Sequence, residues 1–334
     1  MKPGMQLRFE SEAPEPLLAC PRALAPSCSP ASIAFVPSCP QVAATRRPFE
    51  RTLLVLSLFK LRIGVLITLT ALVGYVATPG HAASAAQVLA LTLATLVSSC
   101  AAGAFNQWFE RDSDRRMART RGRAFASGAL PAHPAWPALF AAMLLLSTAA
   151  AAVSVSLLAA AFVFAGAVTY ALIYTVWLKR RTAWNIVIGG AAGSFAALAG
   201  AAASDPLLPP MAWALALVLL LWTPPHFWSL AIAGAADYAA AGVPMLPNVI
   251  GAERTARVVH ASTLALVASS LLPLLAGAGV VYLIAVIAGG GWFLWRSWLL
   301  KLAPSRDRAI KCFLASLLQL CLVLGGLCLD VIVG

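Results

Sequence analysis

Three polar side chains at the end of a long apolar run have the spacing that divalent-metal chemistry requires. Asn106, Glu110 and Asp114 stand at i, i+4 and i+8. On a helix each lies about 40° round from the last, so all three share one face. Mg²⁺ takes one or two carboxylates and completes its shell with phosphate oxygens and water. With Arg119 and Arg123 close behind, the pattern predicts a metal–phosphate site. The alternative is a solvated, salt-bridged helix end.

A second polar cluster follows the run Trp222-Thr-Pro-Pro-His226-Phe-Trp. Two adjacent prolines inside an apolar segment predict a broken or kinked helix, with His226 just past the break. Asp237 and Tyr238 follow about three turns later, beside a Gly/Pro-rich loop that resembles a lid. Ionisable groups near a membrane interior are commonly functional. The alternative for His226 is that it caps carbonyls freed by the prolines.

A third cluster is the basic turn Lys179-Arg180-Arg181, which Asn185 follows closely. Lys179 and Asn185 flank the turn and are candidates for contacts to a phosphate group. Arg180 and Arg181 are equally well explained as residues that only anchor the chain at a membrane surface.

Composition restricts the class of protein that carries these clusters. The chain has 334 residues, of which 61% are hydrophobic and 11% charged, whereas soluble domains carry about a quarter charged residues. This is the composition of an integral membrane protein. The net charge of +12 gathers in loops and at the N-terminus, so it indicates membrane topology and not nucleic-acid binding. The seven cysteines form no CxxC pair, which predicts neither a disulfide framework nor a zinc site.

Apolar segments of about 20 residues, the length of a membrane span, follow one another along most of the chain. Nine such helices are predicted at 53–77, 84–108, 134–152, 155–177, 185–203, 211–232, 257–276, 278–299 and 309–331.

Basic residues occupy every second loop between these segments and are absent from the others. By the positive-inside rule, this alternation predicts a cytoplasmic N-terminus and a C-terminus on the opposite side. Residues 1–45 are rich in Pro, Ser and Ala and contain no segment of spanning length. They are predicted to be a disordered cytoplasmic tail before a single transmembrane domain, 46–334.

The clusters together resemble a known family. Acidic motifs after the second and sixth helices are typical of the intramembrane (UbiA-type) prenyltransferase superfamily. The runs Trp-Thr-Pro-Pro-His-Phe-Trp and Asp-Tyr-Ala-Ala-Ala-Gly-Val-Pro-Met-Leu-Pro are more specific. They resemble its protoheme IX farnesyltransferase (haem O synthase) branch over about residues 50–330.

The resemblance implies an all-α bundle of nine helices around a central cavity open to the cytoplasmic side of a bacterial inner membrane. It implies transfer of farnesyl from farnesyl diphosphate to the 2-vinyl group of haem b, giving haem O. Implied partners are these two substrates, membrane lipid and a haem A synthase or terminal oxidase, and the implied cofactor is Mg²⁺.

The resemblance also assigns roles to residues. The metal ligands that it implies are Glu110, Asp114 and Asp237, and Asn106 completes the catalytic set. The substrate-binding residues that it implies are Arg119, Arg123, Lys179, Asn185, His226 and Tyr238.

The chain departs from the family pattern at several positions. Glu110 stands where the family has aspartate, and Ala233-Gly-Ala-Ala236 stands where the family has basic residues before Asp237. Two rival functions stay open. One is the same fold acting on a quinone precursor or another acceptor, and the other is a polytopic transporter whose intramembrane acids carry cations.

Overall fold

The computed structural model describes residues 48–80 and 83–333, and the side chains from residue 52 onward. The predicted tail at 1–45 lies outside the described residues. Within them the chain is helical and contains no strand. The helices, in chain order, are α1 (Pro48–Leu58), α2 (Leu61–Ala77), α3 (Ala85–Phe109), α4 (Arg111–Asp114), α5 (Ala135–Ser154), α6 (Leu157–Val168), a π-helix (Thr169–Leu178), α7 (Asn185–Gly189), α8 (Ala191–Ser204), α9 (Pro210–Ala233), α10 (Ala235–Ala240), α11 (Leu246–Ile250), α12 (Ala252–Ser269), α13 (Leu272–Leu275), α14 (Val280–Leu302) and α15 (Arg306–Val333).

Long apolar helices make up most of this architecture. In the described part of the chain, eight are long and apolar enough to cross a membrane, and α1 with α2 forms a ninth if the bent pair is one span. The predicted all-helical, polytopic architecture is therefore confirmed. The separation of the third and fourth spans is also confirmed, because Ser156 caps α6 by accepting a hydrogen bond from the Ala159 amide at 3.1 Å.

Small residues let two of these helices approach each other closely. A Cβ placed on Gly200 of α8 would lie 1.8 Å from the carbonyl oxygen of Ala71 on α2, and one on Gly74 would lie 2.2 Å from that of Ala197. Backbones that approach this closely gain packing contacts that larger side chains would prevent, which is how helices commonly associate in lipid.

Of the break or kink predicted at the two prolines, the break is wrong. Helix α9 runs without interruption through Pro224 and Pro225, and His226 lies inside it. Each proline removes one backbone donor, but in membrane helices packing against neighbours compensates for that loss. Here α9 packs against α12 and α15.

The break occurs instead in the first span, between Leu58 and Leu61, where no proline is present. Helices α1 and α2 meet at an angle of 46°, and Lys60 between them has a left-handed backbone with φ 46° and ψ 44°. A second irregularity is the ten-residue π-helix that ends the fourth span. Both irregularities lie at the end of the bundle that carries the basic loops, which is called the basic end below.

Candidate active site

The two carboxylates of the first motif are buried, and each is paired with a cation. Glu110 and Asp114 are 4% and 2% exposed. The ammonium of Lys179, just after the π-helix, lies 2.5 Å from Oε1 and 2.7 Å from Oε2 of Glu110. The guanidinium of Arg123, from the loop after α4, lies 2.7 Å from Oδ2 of Asp114. Burial of an ionised carboxylate requires such a partner, so this is not the solvated helix end that was the alternative.

Asn106, one turn earlier on α3, belongs to the same network. Its Oδ1 accepts a hydrogen bond from Lys60 at 2.5 Å, and its Nδ2 donates to Oγ1 of Thr175 at 3.0 Å. Lys60 also lies 3.3 Å from the hydroxyl of Tyr170. The predicted helical register of Asn106, Glu110 and Asp114 thus places all three among cations and π-helix hydroxyls.

Sequence reasoning gave Lys60 no role in the site. The break between helices α1 and α2 turns this lysine inward. Gln107 stabilises the break, because its Nε2 donates to the carbonyls of Ser57 and Leu58, each at 3.0 Å. The aliphatic stem of Lys60 lies against α3 at Gly103. A left-handed non-glycine residue costs free energy and is commonly found where function requires it. The signal in the sequence that could have identified Lys60 was the presence of a lysine inside an apolar run.

Basic side chains outnumber acidic ones in this network. Lys60 interacts electrostatically with Arg123, Glu110, Lys179 and Asp114, so three basic side chains face two carboxylates. Beside them a pocket of 440 Å³ is lined by Ser57, Lys60, Ile63, Gln107, Arg119, Gly122 and Arg123. A pocket with this excess of basic groups is suited to a phosphorylated ligand.

His226 lies outside this network, between aromatic rings of α9 and α15. Its ring stacks on Trp222 at 4.1 Å and on Phe313 at 4.5 Å between centroids. Its Nδ1 lies 2.7 Å from Oγ of Ser316, and that hydroxyl lies 2.6 Å from the carbonyl of Phe313. The contact of Nδ1 with this hydroxyl leaves Nε2 as the ring nitrogen without a hydrogen-bond partner among the described residues. The bond of Nδ1 is to α15 and not to a carbonyl freed by the prolines.

The remaining predicted residues are less closely connected to the network around Glu110 and Asp114. Asp237 and Tyr238 lie on α10 and are half-buried. Among the ion pairs of the described residues, none involves Asp237. Tyr238 lies within electrostatic range of Tyr174, as do Glu110 and Arg119, which places α10 beside the cluster. Asn185 is fully buried, and its Oδ1 has no hydrogen-bond partner within the described structure.

Arg180 makes contacts within the protein. Its guanidinium donates to the hydroxyl of Ser113 at 2.7 Å and lies over the ring of Phe109. It therefore ties the basic turn to α4.

The donor set fits a magnesium ion in part. Glu110 and Asp114 supply oxygen donors on successive turns, the number of carboxylates that Mg²⁺ usually takes when phosphate completes its shell. The described residues bring together no group of three His, Cys, Asp or Glu side chains able to hold a metal. Asp237 as a further ligand therefore stays a prediction.

Fold and site define the class of protein. Residues 67–318 match the model of the UbiA prenyltransferase family, and the chain belongs to that family. The solved structures agree in fold. A digeranylgeranylglyceryl phosphate synthase matches with a TM-score of 0.72 at 18% identity, over 85% of this chain and 100% of its own. A UbiA homologue from Archaeoglobus fulgidus bound to GPP and Mg²⁺ matches with a TM-score of 0.61 at 13% identity, over 81% and 99%.

Relatives of higher identity are more specific. The chain is 56% identical, over 80% of its length and 93% of the relative's, to protoheme IX farnesyltransferase 2 of Paramagnetospirillum magneticum. It is 40% identical, over 83% of its length and 88% of the relative's, to protoheme IX farnesyltransferase of Parvibaculum lavamentivorans.

Proposed function

We propose that this protein transfers the farnesyl group of farnesyl diphosphate to the 2-vinyl group of haem b. The bond from farnesyl C1 to the diphosphate oxygen breaks, a carbon–carbon bond forms to the vinyl group, and water adds to give the hydroxyl of haem O. The names of the relatives at 56% and 40% identity support this reaction. The structural observation that supports it best is the cluster of three basic side chains around two buried carboxylates.

The demanding step is departure of diphosphate, which leaves an allylic cation. Lys60, Lys179 and Arg123 stabilise the negative charge that develops on the leaving group. Glu110 and Asp114 would hold Mg²⁺, which would supply further neutralisation of the charge on the leaving diphosphate. Asn106, held by Lys60 and Thr175, keeps the first turn of the motif oriented. The relative bound to GPP and Mg²⁺ supports this use of the fold.

On the acceptor side, His226 positions haem b. Its neutral ring is locked by Ser316, Trp222 and Phe313, and Nε2 can ligate haem iron. We expect His226→Ala to weaken haem b binding and to leave farnesyl diphosphate affinity nearly unchanged. Separate titrations of the detergent-solubilised variant test this, and equal loss of both affinities would eliminate the role.

The decisive experiment incubates purified protein with haem b, farnesyl diphosphate and Mg²⁺ and follows the pigment by mass spectrometry. The expected product is haem b plus a farnesyl group and a hydroxyl group, with diphosphate released. Each substrate omitted in turn is the control. Prenylation of a quinone precursor in place of haem b would support the rival acceptor, and no transfer to any acceptor would contradict the proposal.

We also propose that the basic end faces the cytoplasm of a bacterial inner membrane, because basic residues recur in every second loop. A reporter active only outside the cytoplasm, fused after Gly334, should be active. The same reporter fused at Ala183 should be silent, and the opposite pair of results would reverse the orientation.

A further inference from the structure

A second histidine, His260, is held in the same way as His226 but nearer the surface of the bundle. It lies on α12 and is half-buried. Its Nδ1 lies 2.9 Å from Oγ of Ser297 on α14, and that hydroxyl lies 2.9 Å from the carbonyl of Leu294. Nδ1 is thus engaged by Ser297, and Nε2 is the ring nitrogen left without a hydrogen-bond partner among the described residues. In both cases a serine on a neighbouring helix holds the imidazole through Nδ1.

An exposed indole and a cation lie beside His260. The ring of Trp298 meets the imidazole edge-on, with centroids 5.4 Å apart, and Trp298 is 44% exposed. The ammonium of Lys301 lies over the Trp298 ring, 4.6 Å from its centroid, and within electrostatic range of His260. The imidazole, the indole face and a positive charge are therefore neighbours at the junction of α12 and α14.

A second cation lies on the same side of α12. Arg257 is exposed and stands one turn before His260. Because α12 begins and α14 ends at the basic end, Arg257 and Lys301 both lie nearer to that end than His260 does. Neither is ion-paired with a carboxylate in the part of the chain that the structure describes. Two uncompensated cations therefore stand on the water side of an imidazole and an indole.

We propose that His260, Trp298, Lys301 and Arg257 form a second haem site, on the membrane-facing surface, which holds haem b before it reaches the reaction site. This inference rests on the proposed function. A membrane-borne haem offers an iron for imidazole Nε2, a flat apolar face for the indole and two carboxylates for the two cations. A phospholipid headgroup would use the cations alone and would make no use of the imidazole that Ser297 holds beside them.

The first test counts haem sites. Purified full-length protein in neutral detergent is titrated with ferric haem b and followed by its Soret absorbance and electron paramagnetic resonance. We expect two equivalents for the wild type and one for His260→Ala, and we expect His226→Ala to keep the His260 equivalent. The matched control is His133→Ala, which removes an exposed loop imidazole and should leave two equivalents. Saturation of the wild type by one equivalent that His260→Ala retains would overturn the inference.

The second test separates haem from lipid. Lys301→Gln should weaken binding of haem b at this site about twofold to fivefold, the range for a half-exposed ion pair. It should not weaken binding of haem b dimethyl ester, whose propionates are masked. If Lys301→Gln leaves haem affinity unchanged and reduces only the anionic phospholipid that co-purifies, the patch is a lipid site and the inference is wrong.

Activity distinguishes failure of this inference from failure of the proposed function. His260→Ala should raise the KM for haem b and leave kcat at saturating haem b unchanged. A wild-type protein that forms haem O but binds a single haem refutes the second site alone. A wild-type protein that forms no haem O refutes the proposed function, whatever the haem count.

Discussion

The acidic residues of the first and second motifs differ in burial and in ion pairing. Glu110 and Asp114, at the end of α3 and on α4, are buried, and each is neutralised by a cation. Asp237, on α10, is half-buried and has no ion pair among the described residues. Buried charges contribute to stability only together with their partners, whereas a half-buried carboxylate is already partly solvated. Substitutions in the first motif should therefore affect both folding and transfer, and substitutions at Asp237 should affect transfer alone.

The largest effect is expected for Glu110→Gln. Loss of this carboxylate should reduce turnover by at least about a hundredfold, as for removal of a charge-stabilising group. The variant should also melt at a lower temperature, because Lys179 keeps its charge in a buried site without a partner. Steady-state farnesyl transfer and thermal unfolding in detergent measure the two effects.

Two matched variants sharpen this result. Glu110→Asp keeps the charge and the family pattern and should be active. The double variant Glu110→Gln/Lys179→Met should recover thermal stability without recovering transfer. Near-normal turnover in Glu110→Gln would refute the assignment of this carboxylate to the active site.

Asp237→Asn is expected to have the next largest effect. Turnover should fall about tenfold to a hundredfold, the range for groups that support a metal site. Its unfolding temperature should match that of the wild type, since the wild-type Asp237 stabilises no cation in the described structure. A loss of stability equal to that of Glu110→Gln would show that the two motifs are held alike.

The variant Lys60→Met tests the lysine that the break between α1 and α2 brings to the first acidic motif. Removal of its charged hydrogen bond to Asn106 should raise the KM for farnesyl diphosphate about tenfold. Lys60→Arg keeps the charge and should be affected less. Steady-state kinetics at saturating haem b measure the change, and an unchanged KM in Lys60→Met would remove Lys60 from the substrate site.

The smallest effect is expected for Ser316→Ala, outside both acidic motifs. His226 would lose the hydrogen bond between its Nδ1 and the Ser316 hydroxyl, so haem b affinity should fall about twofold to tenfold, as for loss of one hydrogen bond. Farnesyl diphosphate affinity should not change. Haem titration of the variant tests this, and a fall in both affinities would show that Ser316 only packs α15 against α9.

Local pattern was sufficient for much of the fold. Runs of apolar residues about 20 long predicted the spans, because lipid requires each crossing segment to satisfy its own backbone hydrogen bonds. Helical periodicity placed Asn106, Glu110 and Asp114 on one face. Proline was a poor guide, since its effect depends on the neighbours that hold the helix together. The prolines of α9 do not interrupt it, whereas the first span breaks without one.

The sequence by itself determined the class of membrane protein, the spans and the residue types of the first motif, all of which depend on neighbours along the chain. The tertiary structure alone decided which cation meets which acid. Lys60 reaches Asn106, 46 residues away, and Lys179 reaches Glu110, 69 residues away. Ser316 reaches His226 across 90 residues. Such pairings depend on how helices pack against one another, and no periodicity within a single helix specifies its partner.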